Sequence, residues 1–94
     1  MNQDALQLLL ARAEITAGQP APARTRLEKL AEKKPDDAEV LLRLAMLLFD
    51  ERARAAAPER RDLTQRVETL LQRVLALQPE NAAANRLLTA LRAG

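Results

Sequence analysis

Residues 40–49 read VLLRLAMLLF, the most hydrophobic segment of the chain. Val40, Leu41, Leu44, Ala45, Leu47 and Leu48 recur at the three- and four-residue spacings of one broad helical face. Leu42, Met46 and Phe49 recur at i, i+4 and i+7 on a second face of the same helix. Two apolar faces on one helix require two partners. Upstream, Asp36 and Asp37 stand where an N-cap is wanted, since a carboxylate there accepts from the backbone N–H groups that a first turn leaves unpaired. Downstream, nothing breaks the helical pattern before Pro58, so the helix is predicted over about 37–56.

Outward from this segment, Gly18–Pro22, Pro35–Asp37, Pro58 and Pro79–Asn81 punctuate the chain and leave five helical stretches, at about 4–17, 20–33, 37–56, 59–77 and 81–92. In the first, Leu6, Leu9, Leu10 and Ala13 recur at helical spacing, and Gly18 supplies the positive-φ residue that commonly ends a helix. Pro20 and Pro22 suit a first turn, where their missing N–H groups cost little, so they open the second helix. Its apolar stripe is Ala23, Leu27, Leu30 and Ala31; Lys33 and Lys34 suit the negative end of its dipole. The fourth carries Leu63, Val67, Leu70, Leu71, Val74, Leu75 and Leu77, and Asn81 caps a short fifth with Leu87, Leu88 and Leu91. Hydrophobic residues make up 48% of the chain. Almost all are Ala and Leu, with one aromatic, Phe49, which makes the fold class all-α.

The third helix resembles the first, and the fourth resembles the second. Leu10-Ala11 recurs as Leu44-Ala45. The first unit continues through Gly18, Ala23, Leu27, Leu30 and Pro35; the second continues through Leu48, Val67, Leu71, Val74-Leu75 and Pro79. Pro79 follows Pro35 at a greater distance than Leu44 follows Leu10, so about ten residues are inserted between Phe49 and Arg66, enough to lengthen the hairpin by roughly 7 Å if shared between its two arms. A helix–turn–helix period of about 34 residues with this Leu, Ala and Pro spacing resembles the tetratricopeptide repeat family over nearly the whole chain. The resemblance implies antiparallel helical hairpins stacked as a short right-handed solenoid. In that reading residues 1–94 form one domain, with repeat one at 4–37, repeat two at 38–81 with its insertion near 50–66, and a capping helix at 82–92 covering the last hairpin. The chain departs from the family pattern at its aromatic positions, held by Gln7, Glu14, Leu41 and Leu48, and at Val67, where a small residue is usual.

Catalysis finds little to work with. His, Cys, Ser, Tyr and Trp are all absent, which removes the usual nucleophile–base pairs and the nitrogen and sulfur ligands of transition metals. The densest acidic cluster, Asp36, Asp37 and Glu39, sits where capping accounts for it. Gly18 and Gly94 are the two glycines, too few for a phosphate-binding loop. The sequence therefore argues for no enzyme, no cofactor and no metal. Arg52, Arg54, Arg60, Arg61 and Arg66 form a basic stretch, but Glu51, Glu59 and Asp62 interleave it and no aromatic offers a stacking surface; it reads as a solvated hairpin tip rather than a nucleic-acid site. A net charge of +2 from 15 basic and 13 acidic side chains gives no polyanion-attracting field. No apolar run approaches the ~20 residues that cross a bilayer. Without cysteine the compartment is open; the cytoplasm is slightly favoured, and the periplasm fits if a signal or anchor was removed.

In tetratricopeptide arrays the first helix of each pair lines a concave groove. The resemblance thus directs attention to Leu8, Arg12 and Ile15 of the first helix, Leu42, Arg43, Met46 and Phe49 of the third, and Arg86 and Ala90 of the fifth: an apolar groove with basic edges. A competing reading has Met46 and Phe49 simply packing on the longer second hairpin. Co-chaperone repeats that grip a C-terminal carboxylate use Lys, Asn and Arg at positions held here by Leu8, Arg12, Arg43, Ala83 and Leu87, so that activity is not expected. The expected function is a scaffold for a protein partner, bound as a peptide or amphipathic helix. The second candidate is self-assembly, as a homodimer, within a larger complex that the Ala, Leu and Arg richness suggests is bacterial.

Overall fold

The computed structural model describes residues 2–93. Five helices follow in order, α1 Gln3–Thr16, α2 Pro20–Lys33, α3 Ala38–Arg52, α4 Ala57–Leu77 and α5 Ala82–Ala93. α1 pairs with α2 and α3 with α4 as hairpins, α3 packs on α2, and α5 packs on α4. This is the stacked-hairpin architecture that the repeat implies.

The helices start by two different devices. α1, α3 and α5 open on a side-chain cap: Asn2 accepts from the Ala5 N–H at 2.7 Å, Asp37 from Glu39 and Val40 at 3.1 and 3.2 Å, and Asn81 from Ala84 at 2.9 Å. α2 and α4 have no side-chain cap bond and instead carry proline in the first turn, which lacks one of the donors that would need a partner. Between α1 and α2, Gly18 adopts a φ of 77°. That conformation costs glycine nothing and strains other residues.

α3 stops at Arg52, short of the predicted Ala56. The backbone N–H groups of Ala53, Arg54 and Ala55 bond to carbonyls three residues back, winding the helix off, and Ala56 is extended before α4 begins. Pro58 explains the difference: in a continuous helix its ring would strike the carbonyl of Arg54 and its missing N–H would leave that carbonyl unpaired. α4 in turn begins two residues earlier than predicted, with Pro58 inside its first turn. The inserted residues are not shared between the arms. α3 has 15 residues against 14 in α1, whereas α4 has 21 against 14 in α2. Residues 57–63 form two additional turns, about 10 Å long at 1.5 Å per residue.

Arg52 marks the level at which these turns depart. It is buried rather than solvated as its place in the basic stretch suggested. Its Nε donates to the Thr64 hydroxyl at 2.6 Å, its guanidinium lies 5.8 Å from the centre of the Phe49 ring, and the Thr64 hydroxyl donates to the Arg60 carbonyl at 2.7 Å. A long side chain that buries its stem and pairs its head at a helix end fixes α3 against α4.

The core follows the repeat. Ala11 and Ala45, Ala23 and Val67, Leu27 and Leu71, and Leu30 and Val74 are corresponding pairs, and every member is buried. Arg24 of α2 bonds to Glu51 of α3, Arg66 of α4 bonds to Glu28 of α2, and Arg73 of α4 reaches Asp36 in the turn after α2 at 2.7 Å. Exposed pairs such as these contribute on the order of 0.2–1 kcal/mol each. Their geometry records that α2 touches the elements of the next hairpin.

At the open ends of the first hairpin, Asp4 accepts from Lys33 at 2.9 Å and lies 3.5 Å from Lys34. The Lys33 hydrogen bond is the main cause that holds the Asp4 carboxyl below its ordinary range, against an opposing effect of partial burial. A carboxyl whose folded pKa lies below its unfolded value of about 3.9 stabilises the fold above that pH and loses the contribution as pH falls through the folded value.

Three outcomes are expected. Leu71→Ala, a truncation at a fully buried position, lowers unfolding free energy in urea by about 2–5 kcal/mol. Gly18→Ala costs about 1 kcal/mol, because the backbone conformation opposes the added methyl. No atom lies within 4 Å of that methyl, so no clash adds to the cost. Asp4→Asn flattens the dependence of melting temperature on pH below about pH 4 while leaving the neutral-pH helical spectrum unchanged.

Candidate functional site

The composition of α3 sets up the site. Leu41, Leu44, Ala45 and Leu48 are buried, so one side of the helix is taken up by the core. At about 100° per residue Met46 projects well around the helix from that side. It is 45% exposed. It stands with Ala83, Arg86, Leu87 and Ala90 of α5 around a cavity of about 310 Å³. The walls are apolar apart from Arg86, which is exposed.

The structure thus brings together Met46 and Arg86 of the groove residues expected from sequence, with Ala90 beside them. Leu42 and Phe49 are half-buried and pack on the core. Phe49 is further engaged by Arg52, so the two readings of the Met46 and Phe49 pair divide between them: Met46 faces outward, and Phe49 is largely committed to the hairpin. Leu8 is half-buried and lines a separate depression of about 150 Å³ with Leu30 and Val40, near the start of α3. Arg12 is exposed, as is Ile15, and Arg43 lies 3.6 Å from Glu39. Of the three basic edge residues, Arg43 therefore has a carboxylate neighbour on its own helix.

The acidic cluster is accounted for by local partners. Asp37 caps α3, Asp36 pairs with Arg73, and Glu39 pairs with Arg43. No group of three metal-ligating side chains converges among the described residues. No helix among them is long and apolar enough to cross a membrane. The basic stretch is dispersed: Arg52 is buried and Arg66 is paired with Glu28, leaving Arg54, Arg60 and Arg61 among Glu59 and Asp62 at the tip.

One apolar surface was not singled out by the groove reading. Leu6, Leu9 and Leu10, which give α1 its helical periodicity, lie on its outside, and α1 buries Ala11 instead. The signal was present in the repeat, because their counterparts Val40, Arg43 and Leu44 include two apolar residues of the α3 core.

No curated protein and no solved structure matches the chain. A family model described as Tetratricopeptide repeat matches residues 4–47, from α1 through α2 and most of α3. Those residues hold the first hairpin and the helix that stacks on it, the unit whose Leu10-Ala11, Ala23, Leu27, Leu30 and Pro35 spacing recurs in the second. The match over residues 4–47, together with five stacked helices among the described residues, supports assignment to the tetratricopeptide repeat family, whose repeats generally mediate protein–protein interaction.

Proposed function

We propose that this chain is a non-catalytic scaffold that holds a peptide or amphipathic helix of a protein partner against its α3 and α5 face. The observation that carries the reading is Met46: a large apolar side chain held almost half exposed at the mouth of an apolar cavity edged by a cation. An unbranched, polarisable side chain in such a place adapts to varied apolar surfaces, and a short ligand needs a pocket for only one or two anchors. Arg86 beside it favours a ligand with an acidic residue next to its apolar anchor. In this reading Arg12, Ile15 and Arg43 extend the same face along α1 and α3, while Leu8, Leu42 and Phe49 pack against the core beneath it.

The test is selection of a displayed random-peptide library on the full chain, followed by affinity measurement on the enriched peptides. Peptides pairing an apolar anchor with an acid should emerge, and Met46→Glu should weaken them at least tenfold, equivalent to about 1.4 kcal/mol. Helicity should be unchanged, because Met46 is exposed. Enriched peptides that bind Met46→Glu as well as wild type would place the binding surface elsewhere. Light scattering on the same two proteins addresses self-assembly through this face: a dimer that Met46→Glu splits would replace partner capture by homodimerisation.

A further inference from the structure

The internal repeat supplies its own answer to what the outer face of α1 is for. By the spacing that relates Leu10-Ala11 to Leu44-Ala45, Leu6, Leu10 and Ala13 correspond to Val40, Leu44 and Leu47 of α3. In α3 these three are exposed by 2, 0 and 6%. They lie about 100° around the helix from Leu41, Ala45 and Leu48, the side turned to the hairpin partner. The neighbouring element that packs on α3 from the preceding hairpin is α2, and Val40 shares a depression with Leu30 of α2. α5 repeats the arrangement: by the longer spacing that relates Pro35 to Pro79, Ala84, Leu88 and Leu91 correspond to Val40, Leu44 and Leu47; Ala84 and Leu91 are buried, Leu88 is half-buried, and α5 packs on α4. Two of the three helices of this type therefore carry a preceding helix on this face. On α1, Leu6 is 43% and Leu10 36% exposed, and Leu9 beside them is 50% exposed.

A second correspondence runs through the other helix of the hairpin. Arg73 of α4 donates to the Asp36 carboxylate at 2.7 Å and to the Pro35 carbonyl at 2.8 Å, both in the turn that follows α2. Its counterpart in α2 is Lys29, which is exposed and makes none of the ion pairs of its neighbours Arg26 and Lys33. Lys29 and Lys33 line a groove of about 660 Å³ between α1 and α2, bounded on the α1 side by Gln3 and Gln7. Asp4 of α1 also lines this groove but is held by Lys33, and Glu14 is held by Arg26.

From these correspondences we infer that the outer face of α1, with Lys29, is a docking site for one further helix of the α2 kind: an apolar stripe spaced like Ala23, Leu27 and Ala31, followed by an acid in the turn just past its C-terminal end. The stripe would cover Leu6, Leu10 and Ala13 as α2 covers Val40, Leu44 and Leu47. The acid would meet Lys29 as Asp36 meets Arg73. The inference is independent of the α3 and α5 face, which lies on other residues.

The chain's own residues 20–37 are the natural probe, since they contain both α2 and Asp36. An isolated helix of this length is marginal in water, so the blocked peptide is held helical by a lactam bridge on the face opposite Leu27. Full-length protein should bind it, and Leu10→Glu should weaken binding at least tenfold with the helical spectrum retained. Lys29→Glu should weaken it about threefold or more, and a peptide carrying Asp36→Lys should recover that loss on the Lys29→Glu protein. Met46→Glu should bind the peptide like wild type, which separates this face from the groove. Absence of binding up to about 1 mM, or binding indifferent to Leu10→Glu, would overturn the inference. So would a wild-type dimer in light scattering that Leu10→Glu splits, because the face would then belong to a second copy of the chain.

Discussion

Each helix of the first and second hairpins carries more apolar surface than its own partner can cover, and the rest of the structure depends on how that excess is buried. α3 packs on both α4 and α2, and Val40, Leu44 and Leu47 are buried in addition to Leu41, Ala45 and Leu48. A hairpin of this composition cannot be stable alone, because a large part of its burial comes from a neighbour. Small residues make the close approach workable: Ala11, Ala45, Ala23 and Ala84 are fully buried, where larger side chains would hold the helices apart. Val67 fills the same place in the longer hairpin without being exposed. α5 then packs on α4 and leaves Asn85, Arg86, Thr89 and Arg92 exposed.

The two ends of the stack are consequently unlike. α5 exposes Asn85, Arg86, Thr89 and Arg92 beside Ala82 and Ala90, while α1 keeps a row of exposed leucines beside a basic rim on α2. A hydrophobic row of this kind marks a place where burial is still available. The charged side chains between the hairpins follow the packing rather than direct it. Arg24, Glu28, Glu51 and Arg66 sit at the edges of the α2 contact. There they are partly screened from water but still solvated enough that their removal would cost little.

The long arm of the second hairpin shows how a repeat absorbs an insertion. A proline within the first turn of α4 permits the helix to begin early, and Arg52 pins the end of α3 to Thr64, so the additional turns extend from one helix alone. The repeat pattern on either side is undisturbed because the additional residues extend α4 at its own N-terminal end, beyond the level at which Arg52 meets Thr64. Residues 57–63 make up close to two turns of about 3.6 residues. Val67, Leu71 and Val74 correspond to Ala23, Leu27 and Leu30, and all six are buried.

Much of this was legible in the order of residues. Helix number, the proline and asparagine punctuation, the recurrence of Leu10-Ala11 at Leu44-Ala45 and the family to which it leads all rest on local propensity and periodicity, which act over a few residues and are written in the chain. Other features could not be read so. Periodicity says that Leu6, Leu10 and Ala13 share a face, and equally that Val40, Leu44 and Leu47 do; it cannot say that α2 lies over one set and no described residue over the other. The division of Met46 from Phe49, the burial of Arg52 against Thr64 and Phe49, and the ending of α3 before Pro58 likewise depend on which helices meet at which level. Burial is a property of two surfaces, and the sequence specifies each surface separately; only the tertiary structure decides which of them come together.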